Sequence, residues 1–144
     1  MVRALSEVDP SNGEFYQASV MAFQKRLQEK EKEWNRIALR GKKFIAYHKF
    51  FEYLAHDFGF EIVGYIEEKP GIPPSASHVE KLVGLARQEK PDAILTTGYY
   101  ERQAPNYLSK KTGVKVVIVP NDVGSTPQAK DWFSFMVQAL AVLQ

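Results

Sequence analysis

Lys43-Phe44-Ile45-Ala46-Tyr47, followed directly by His48, is the segment of this chain that is most informative about its fold. Its apolar run predicts a short buried strand, and the residues from His48 to Phe58 predict a helix that Gly59 closes. Further apolar runs, each preceded by a helical segment, predict strands at 61–66, 91–97 and 114–119. Such continuous apolar runs are typical of parallel strands that are covered on both faces. Because strands that alternate with helices require right-handed crossovers, we predict an α/β fold with a four-stranded parallel sheet in the order 2-1-3-4 and helices on both faces.

The segments between and after the later strands predict three more helices. The first follows a loop rich in proline and glycine at 70–74 and runs to about Lys90, with Ser77 and Glu80 at the spacing of a capping box. The others run from about Ala104 to Thr112 and from about Gln128 to the end of the chain.

A long helix is predicted ahead of the sheet, from about Gly13 to Arg40, and Gly41 suits the left-handed position that ends a helix. At 1.5 Å per residue this helix is about 40 Å long, which is longer than a small domain needs. We therefore predict a linker or backbone helix at 1–41 and an α/β lobe at 42–144. Part of the helix is expected to rest on a missing lobe or a second chain. Its apolar stripe comprises Tyr16, Val20, Phe23, Leu27, Trp34, Ile37 and Ala38.

Composition excludes several classes of protein. The 144 residues include 19 basic and 17 acidic side chains, and a net charge of +2 is too balanced for a nucleic-acid or anionic-membrane footprint. The chain has no cysteine, which excludes disulfides, thiolate metal sites and a cysteine nucleophile. No stretch has the length and apolarity of a membrane span. The first ten residues lack the apolar core of a signal peptide, so none is expected in this chain.

Three side chains are candidates for a metal site: His48, Glu101 and Asp122. They follow the predicted first, third and fourth strands, and open parallel sheets bind ligands beyond the carboxyl ends of their strands. An imidazole with two carboxylates suits zinc, manganese or iron. A helix that begins at His48 would also disfavour the imidazolium form, which cannot bind metal. Each candidate has a structural alternative: a backbone hydrogen bond for His48, a helix start for Glu101 and turn formation for Asp122.

Other interpretations of the chain stay open at this point. His78 is expected to be solvent-exposed, and His56 lies near the end of its helix. The sequence contains neither a phosphate-binding glycine loop nor a Gly-x-Ser-x-Gly elbow. A flavodoxin-like interaction module that dimerises through the long helix is one alternative. A small enzyme that uses His48 with Asp122 or Glu101 as acid and base is a weaker one.

Four segments together resemble the metal receptors of zinc and manganese ABC transporters, which are periplasmic solute-binding proteins. The segment from Phe44 to Phe60 is similar to their histidine-containing strand and helix. The segment from Glu68 to His78 resembles the loop that follows in one branch of the family. Residues 112–124 continue the similarity, and residues 9–16 resemble the start of the long helix that joins the two lobes of such receptors.

The resemblance implies a non-enzymatic carboxy-terminal lobe with its linker helix, and zinc or manganese as the bound ion rather than a catalytic cofactor. His48 matches the family's third ligand position, and Asp122 falls near an acidic one. The first two ligands and the amino-terminal lobe have no counterpart, so the chain is expected to hold only a half-site. The implied partners are the missing lobe or a second copy of the chain, and an ABC permease for the parent protein. That parent is expected to be periplasmic or extracellular and membrane-associated, like the family's adhesion-type lipoproteins.

Overall fold

The structure is a computed structural model that describes residues 1–144, and the chain divides into two compact units, Met1–Arg36 and Ile37–Gln144. The first unit contains α1 (Val2–Val8), a short 3-10 helix (Pro10–Asn12) and α2 (Gly13–Trp34). The second unit contains, in chain order, β1 (Lys43–Ala46), α3 (Glu52–Phe58), β2 (Glu61–Tyr65), α4 (Ala76–Glu89), β3 (Ala93–Thr96), α5 (Gln103–Thr112), β4 (Val116–Ile118) and α6 (Trp132–Ala141).

The four strands form one parallel sheet in the order β2-β1-β3-β4, which confirms the predicted topology. β1 lies between β2 and β3, with Ile45 opposite Gly64 on one side and Ile94 on the other. Every residue of β3 is buried, as are the last three of β1. Burial on both faces explains why these two strands are uninterrupted apolar runs.

The core of the second unit joins this sheet to α4 and α5. Leu108 of α5 belongs to the same buried cluster as Ile45 and Ile94. The buried face of α4 consists of Val79, Leu82, Val83 and Ala86, as its helical spacing predicts.

Gly64 is required by the close approach of α4 to β2. A Cβ atom at this position would lie 2.7 Å from Cδ2 of Leu85 and 3.1 Å from Cδ2 of Leu82. We expect Gly64→Ala to lower the free energy of unfolding by about 1–3 kcal/mol, because both leucines must shift within a packed layer. Gly84→Ala is the matched control: this helical glycine has open space around it, so alanine should raise stability by about 1 kcal/mol. Urea denaturation measures both, and equal stability of the two variants would contradict the packing argument.

The prediction that a helix begins at His48 is wrong. Residues 47–49 form a bend, and α3 begins only at Glu52, with Phe51 as its N-cap residue. Phe51 is 2% exposed, so the chain turns inward to bury this ring before the helix starts. The argument from the helix dipole therefore does not apply to His48.

Other helix ends also differ from their predicted positions. Ser75 rather than Ser77 caps α4, because its side chain accepts the N–H of His78. The long helix is present but ends at Trp34, and Gly41 has the expected positive φ of 83° outside any helix. α6 begins four residues later than predicted because Asp131 and Ser134 form a capping box there.

Asp9 organises the junction between α1 and α2, a feature without a sequence prediction. Its carboxylate accepts hydrogen bonds from Asn12 Nδ2 (2.7 Å), Ser11 Oγ (2.7 Å) and Tyr16 Oη (2.8 Å). These bonds, with that of Asn12 the largest effect, lower the pKa of Asp9 to about 2. The ionised carboxylate thereby holds the short turn that separates the two helices.

Candidate metal centre

The candidate site lies just past the ends of β1 and β2. The hydrogen bonding of the sheet continues beyond both strands and aligns the residues that follow them. Glu67 donates its N–H to the carbonyl of Tyr47 (2.8 Å), and Tyr47 donates its own N–H to the carbonyl of Leu95 (2.8 Å). The register places Ala46 opposite Tyr65. Two residues further along each strand, the same register brings His48 beside Glu67.

His48 and Glu67 form a pair through Nδ1 of the imidazole and Oε2 of the carboxylate. The Glu67 side chain is only 8% exposed and that of His48 24% exposed. No other hydrogen bond reaches Oε2, so the imidazole is the polar partner of this buried oxygen. The second carboxylate oxygen, Oε1, accepts the backbone N–H of Gly71 at 2.6 Å.

This pairing determines which atom of His48 can bind a metal. An ionised carboxylate only accepts hydrogen bonds, so the hydrogen between the two groups belongs to Nδ1 of the imidazole. Nε2 then carries the lone pair. Metal-binding histidines characteristically donate their other ring N–H to a carboxylate or carbonyl in this way.

Aromatic rings form one side of the site. Tyr100 stacks on Tyr47 with ring centroids 4.5 Å apart, and its centroid lies 6.0 Å from that of His48. Burial, with the nearby Glu101 as a second cause, raises the pKa of Tyr47 to about 12. Burial also raises the pKa of Tyr100. Both phenols therefore stay protonated at neutral pH and act as packing and donor groups rather than as anionic ligands.

Glu101 touches this cluster from the start of α5. One of its oxygens accepts the hydroxyl of Tyr47 (3.2 Å), and the other accepts the N–H of Gln103 (2.6 Å). The bond to Gln103 agrees with the structural alternative to metal binding, in which Glu101 stabilises the start of a helix. The other bond connects the carboxylate, through Tyr47, to the aromatic side of the site.

Asp122 lies on an exposed loop after β4, and its hydrogen bonds are local. Its Oδ1 accepts the N–H of Val123 (2.7 Å), and its carbonyl accepts the hydroxyl of Ser125 (2.6 Å). These bonds are typical of the turn role that was its structural alternative. The chain contains no group of three His, Cys, Asp or Glu side chains that could hold a metal. The three predicted ligands, His48, Glu101 and Asp122, therefore do not form one cluster.

The other two histidines have different surroundings. The expectation that His78 is exposed is wrong: its side chain is mostly buried, with Nε2 2.8 Å from the carbonyl oxygen of Tyr65 and Nδ1 3.4 Å from Glu68. His78 lies in the first turn of α4, which begins at Ala76. His56 is 87% exposed and pairs with its neighbour Asp57.

Glu67 belongs to the candidate site, although the sequence pattern did not single it out. The three sequence candidates follow the first, third and fourth strands, around the point where the order of the sheet reverses. Glu67 follows β2, the neighbour of β1 on its other side. Its position directly after a predicted strand was the available signal, since the ends of adjacent parallel strands share one edge of a sheet.

Known proteins share both sequence and fold with this chain. The high-affinity zinc uptake system protein ZnuA of Bacillus subtilis (strain 168) is 26% identical over 125 residues, covering 85% of this chain and 39% of that protein. A crystal structure of ZnuA matches with a TM-score of 0.77 at 23% identity, covering 98% of this chain and 54% of that one. The manganese complex of FpvC from Pseudomonas aeruginosa gives a TM-score of 0.73 at 20% identity, covering 98% and 55%. The chain thus spans well under two thirds of each relative's length.

The family assignment rests on the whole sequence. The profile of the ZnuA family, described as zinc-uptake complex component A, periplasmic, matches residues 1–144. This family consists of metal-binding solute-binding proteins, in agreement with the prediction that the chain is not an enzyme. None of the chain's helices combines the length and apolarity needed to cross a membrane. The chain belongs to the ZnuA family of zinc-uptake components.

Proposed function

We propose that the chain binds a divalent metal ion, zinc or manganese, as the carboxy-terminal lobe of a solute-binding protein that serves an ABC transporter. The observation that carries this proposal is the partly buried pair of His48 and Glu67, which leaves Nε2 of the imidazole as the metal-binding atom. Neutral imidazole is a common ligand of both ions. The relatives support the choice of metal, since one is named for zinc uptake and another was solved with manganese.

The proposed site is a half-site. His48 is the first ligand, and Glu101 is a candidate second ligand because it contacts the Tyr47 hydroxyl beside the imidazole. Asp122 is a weaker candidate, since its carboxylate is engaged by its own turn. Zinc sites in proteins use three or four protein ligands, so the remaining ligands must come from outside this lobe.

An amino-terminal lobe or a second copy of the chain would supply those ligands. The longer length of the relatives supports the first source. The second source is supported by the large apolar side chains that the linker helix exposes, such as Phe15 and Met21. We assign residues 1–41, which contain α1 and the long helix α2, to the linker and residues 42–144 to the metal-binding lobe. The parent protein is proposed to act in the periplasm, or outside the cell at the membrane, and to deliver its ion to an ABC permease.

Zinc titration of the metal-free chain tests the half-site, with stoichiometry read by native mass spectrometry and affinity by calorimetry. We expect either weak binding to the monomer or one zinc ion per two chains, because one lobe offers too few ligands for a closed tetrahedral site. Nanomolar binding of one ion per monomer would contradict the half-site. Absence of zinc and manganese binding at every protein concentration would contradict the proposed function itself.

A further inference from the structure

Glu67 is not a ligand in the proposed half-site, yet both of its carboxylate oxygens are engaged beside His48. We infer that Glu67 is a positioning residue for metal capture, which fixes the His48 imidazole with its hydrogen on Nδ1 and ties that ring to the loop at 68–74. The metal-binding part of this inference rests on the proposed function, whereas the hydrogen position is a property of the metal-free chain.

Both the backbone and the side chain of Glu67 are held in place. The backbone N–H donates to the carbonyl of Tyr47 (2.8 Å), so the residue extends the pairing of β1 with β2. The side chain is 8% exposed and uses both oxygens, Oε2 on His48 Nδ1 and Oε1 on the Gly71 N–H at 2.6 Å. A carboxylate fixed at both oxygens cannot rotate away from the imidazole without losing two polar contacts in a largely buried place.

This arrangement selects one of the two neutral forms of the imidazole. Neutral histidine carries its hydrogen on either Nδ1 or Nε2, and the partner of one nitrogen decides which. Because Glu67 accepts at Nδ1, Nε2 is left with its lone pair before any metal arrives. The ring is thereby prepared for binding in both orientation and hydrogen position.

The second oxygen links the imidazole to the loop between β2 and α4. Gly71 lies in this loop at a φ of 76°, a left-handed conformation that glycine adopts without strain, and its N–H donates to Oε1. The loop conformation and the His48 orientation thus share a single carboxylate. A change in the loop conformation must therefore alter the carboxylate contact that orients His48, and a rotation of the His48 ring must alter the contact that holds the loop.

Glu67→Gln tests the inference because it nearly preserves shape but removes one acceptor. Two N–H groups, on Gly71 and on His48, face the two oxygens of Glu67, and a glutamine amide offers one oxygen and one NH2 group. If the amide oxygen stays on Gly71, its NH2 group faces Nδ1, and the hydrogen must move to Nε2. If the oxygen turns to His48, the Gly71 N–H loses its acceptor and the loop is released.

The experiment is long-range 1H–15N NMR of the imidazoles in the metal-free whole chain, above the pH range in which histidine titrates. We expect wild-type His48 to carry its hydrogen on Nδ1. In Glu67→Gln we expect either the Nε2–H form or a changed Gly71 amide resonance, and a zinc affinity lower by about 10–100-fold. The wild-type spectrum is decisive without any variant, and it would overturn the inference if His48 carried its hydrogen on Nε2.

Glu68→Gln is the matched control, since Glu68 is the next residue, is 57% exposed and faces His78. It should change neither the His48 form nor the zinc affinity. A Glu67→Gln spectrum that keeps Nδ1–H and an unchanged Gly71 amide would overturn the inference even if wild-type protein binds zinc. The expected NMR changes without zinc binding in the wild type would support the positioning role and contradict the proposed function instead.

Discussion

Replacement of His48 by alanine is expected to lower the zinc affinity of the chain by more than about 100-fold. Removal of a residue that only orients a ligand costs about 10–100-fold, so removal of the ligand itself should cost more. The variant also leaves Oε2 of Glu67 without its polar partner in a buried place, and we expect a loss of about 1–3 kcal/mol in the free energy of unfolding. Calorimetric zinc titration measures the affinity, and circular dichroism checks that the variant is folded.

His56→Ala provides the control for nonspecific binding of zinc to histidine. His56 is 87% exposed, and its imidazole pairs with the carboxylate of its neighbour Asp57. Its removal should leave both zinc affinity and stability within experimental error. Equal zinc affinity of the His48→Ala variant and wild type would show that the ion binds elsewhere, and the proposed site would be wrong.

Phe51→Ala is expected to cause the largest loss of stability that we predict, about 3–5 kcal/mol. Phe51 is the N-cap residue of α3 and is 2% exposed, so burial of its ring anchors the bend at 47–49 that carries His48. Alanine would leave a cavity of nearly a whole phenyl ring in the close-packed interior. Urea denaturation of the wild type and variant, followed by circular dichroism, gives the difference in free energy.

Phe50→Ala is the matched control, because Phe50 lies one residue earlier and directly follows the same bend. Phe50 is 41% exposed, and its ring packs edge-on against Phe51 at a centroid distance of 5.4 Å. Both variants lose this aromatic pair, whereas only Phe51→Ala empties a buried position. We expect Phe50→Ala to cost about 1 kcal/mol, the size of one aromatic pair. Similar losses in the two variants would contradict the view that burial of Phe51 fixes the bend.

Most of the fold could be predicted because its signals lie within single segments. Apolar runs such as 43–47 and 91–97 mark strands covered on both faces, and the helices between them impose parallel order. The boundaries were less predictable, as the bend before α3 demonstrates. There the local pattern is compatible with helix from His48 onward, but burial of Phe51 stabilises a turn first.

The function of the site was predictable only in part, for a similar reason. His48 could be placed beyond the end of a strand from its neighbours in sequence, and the family resemblance indicated a metal. The roles of Glu101 and Asp122 as ligands stay predictions. Both side chains form hydrogen bonds with other residues of the chain. A sequence pattern does not distinguish a carboxylate that forms such bonds from one that binds a metal.

Periodicity and chain connectivity are sufficient to predict the parallel sheet, its strand order and the position of His48 just past the end of β1. The pairing of Glu67 with His48, in contrast, is visible only in the folded chain. Between Phe44 and Ile45 the register with β2 shifts by one residue, so that Ile45 lies opposite Gly64 instead of Val63. Without that bulge Ile66 would stand beside His48, and its apolar side chain could not accept the imidazole N–H. A bulge depends on how two strands pack against each other, and no local pattern in either strand specifies it.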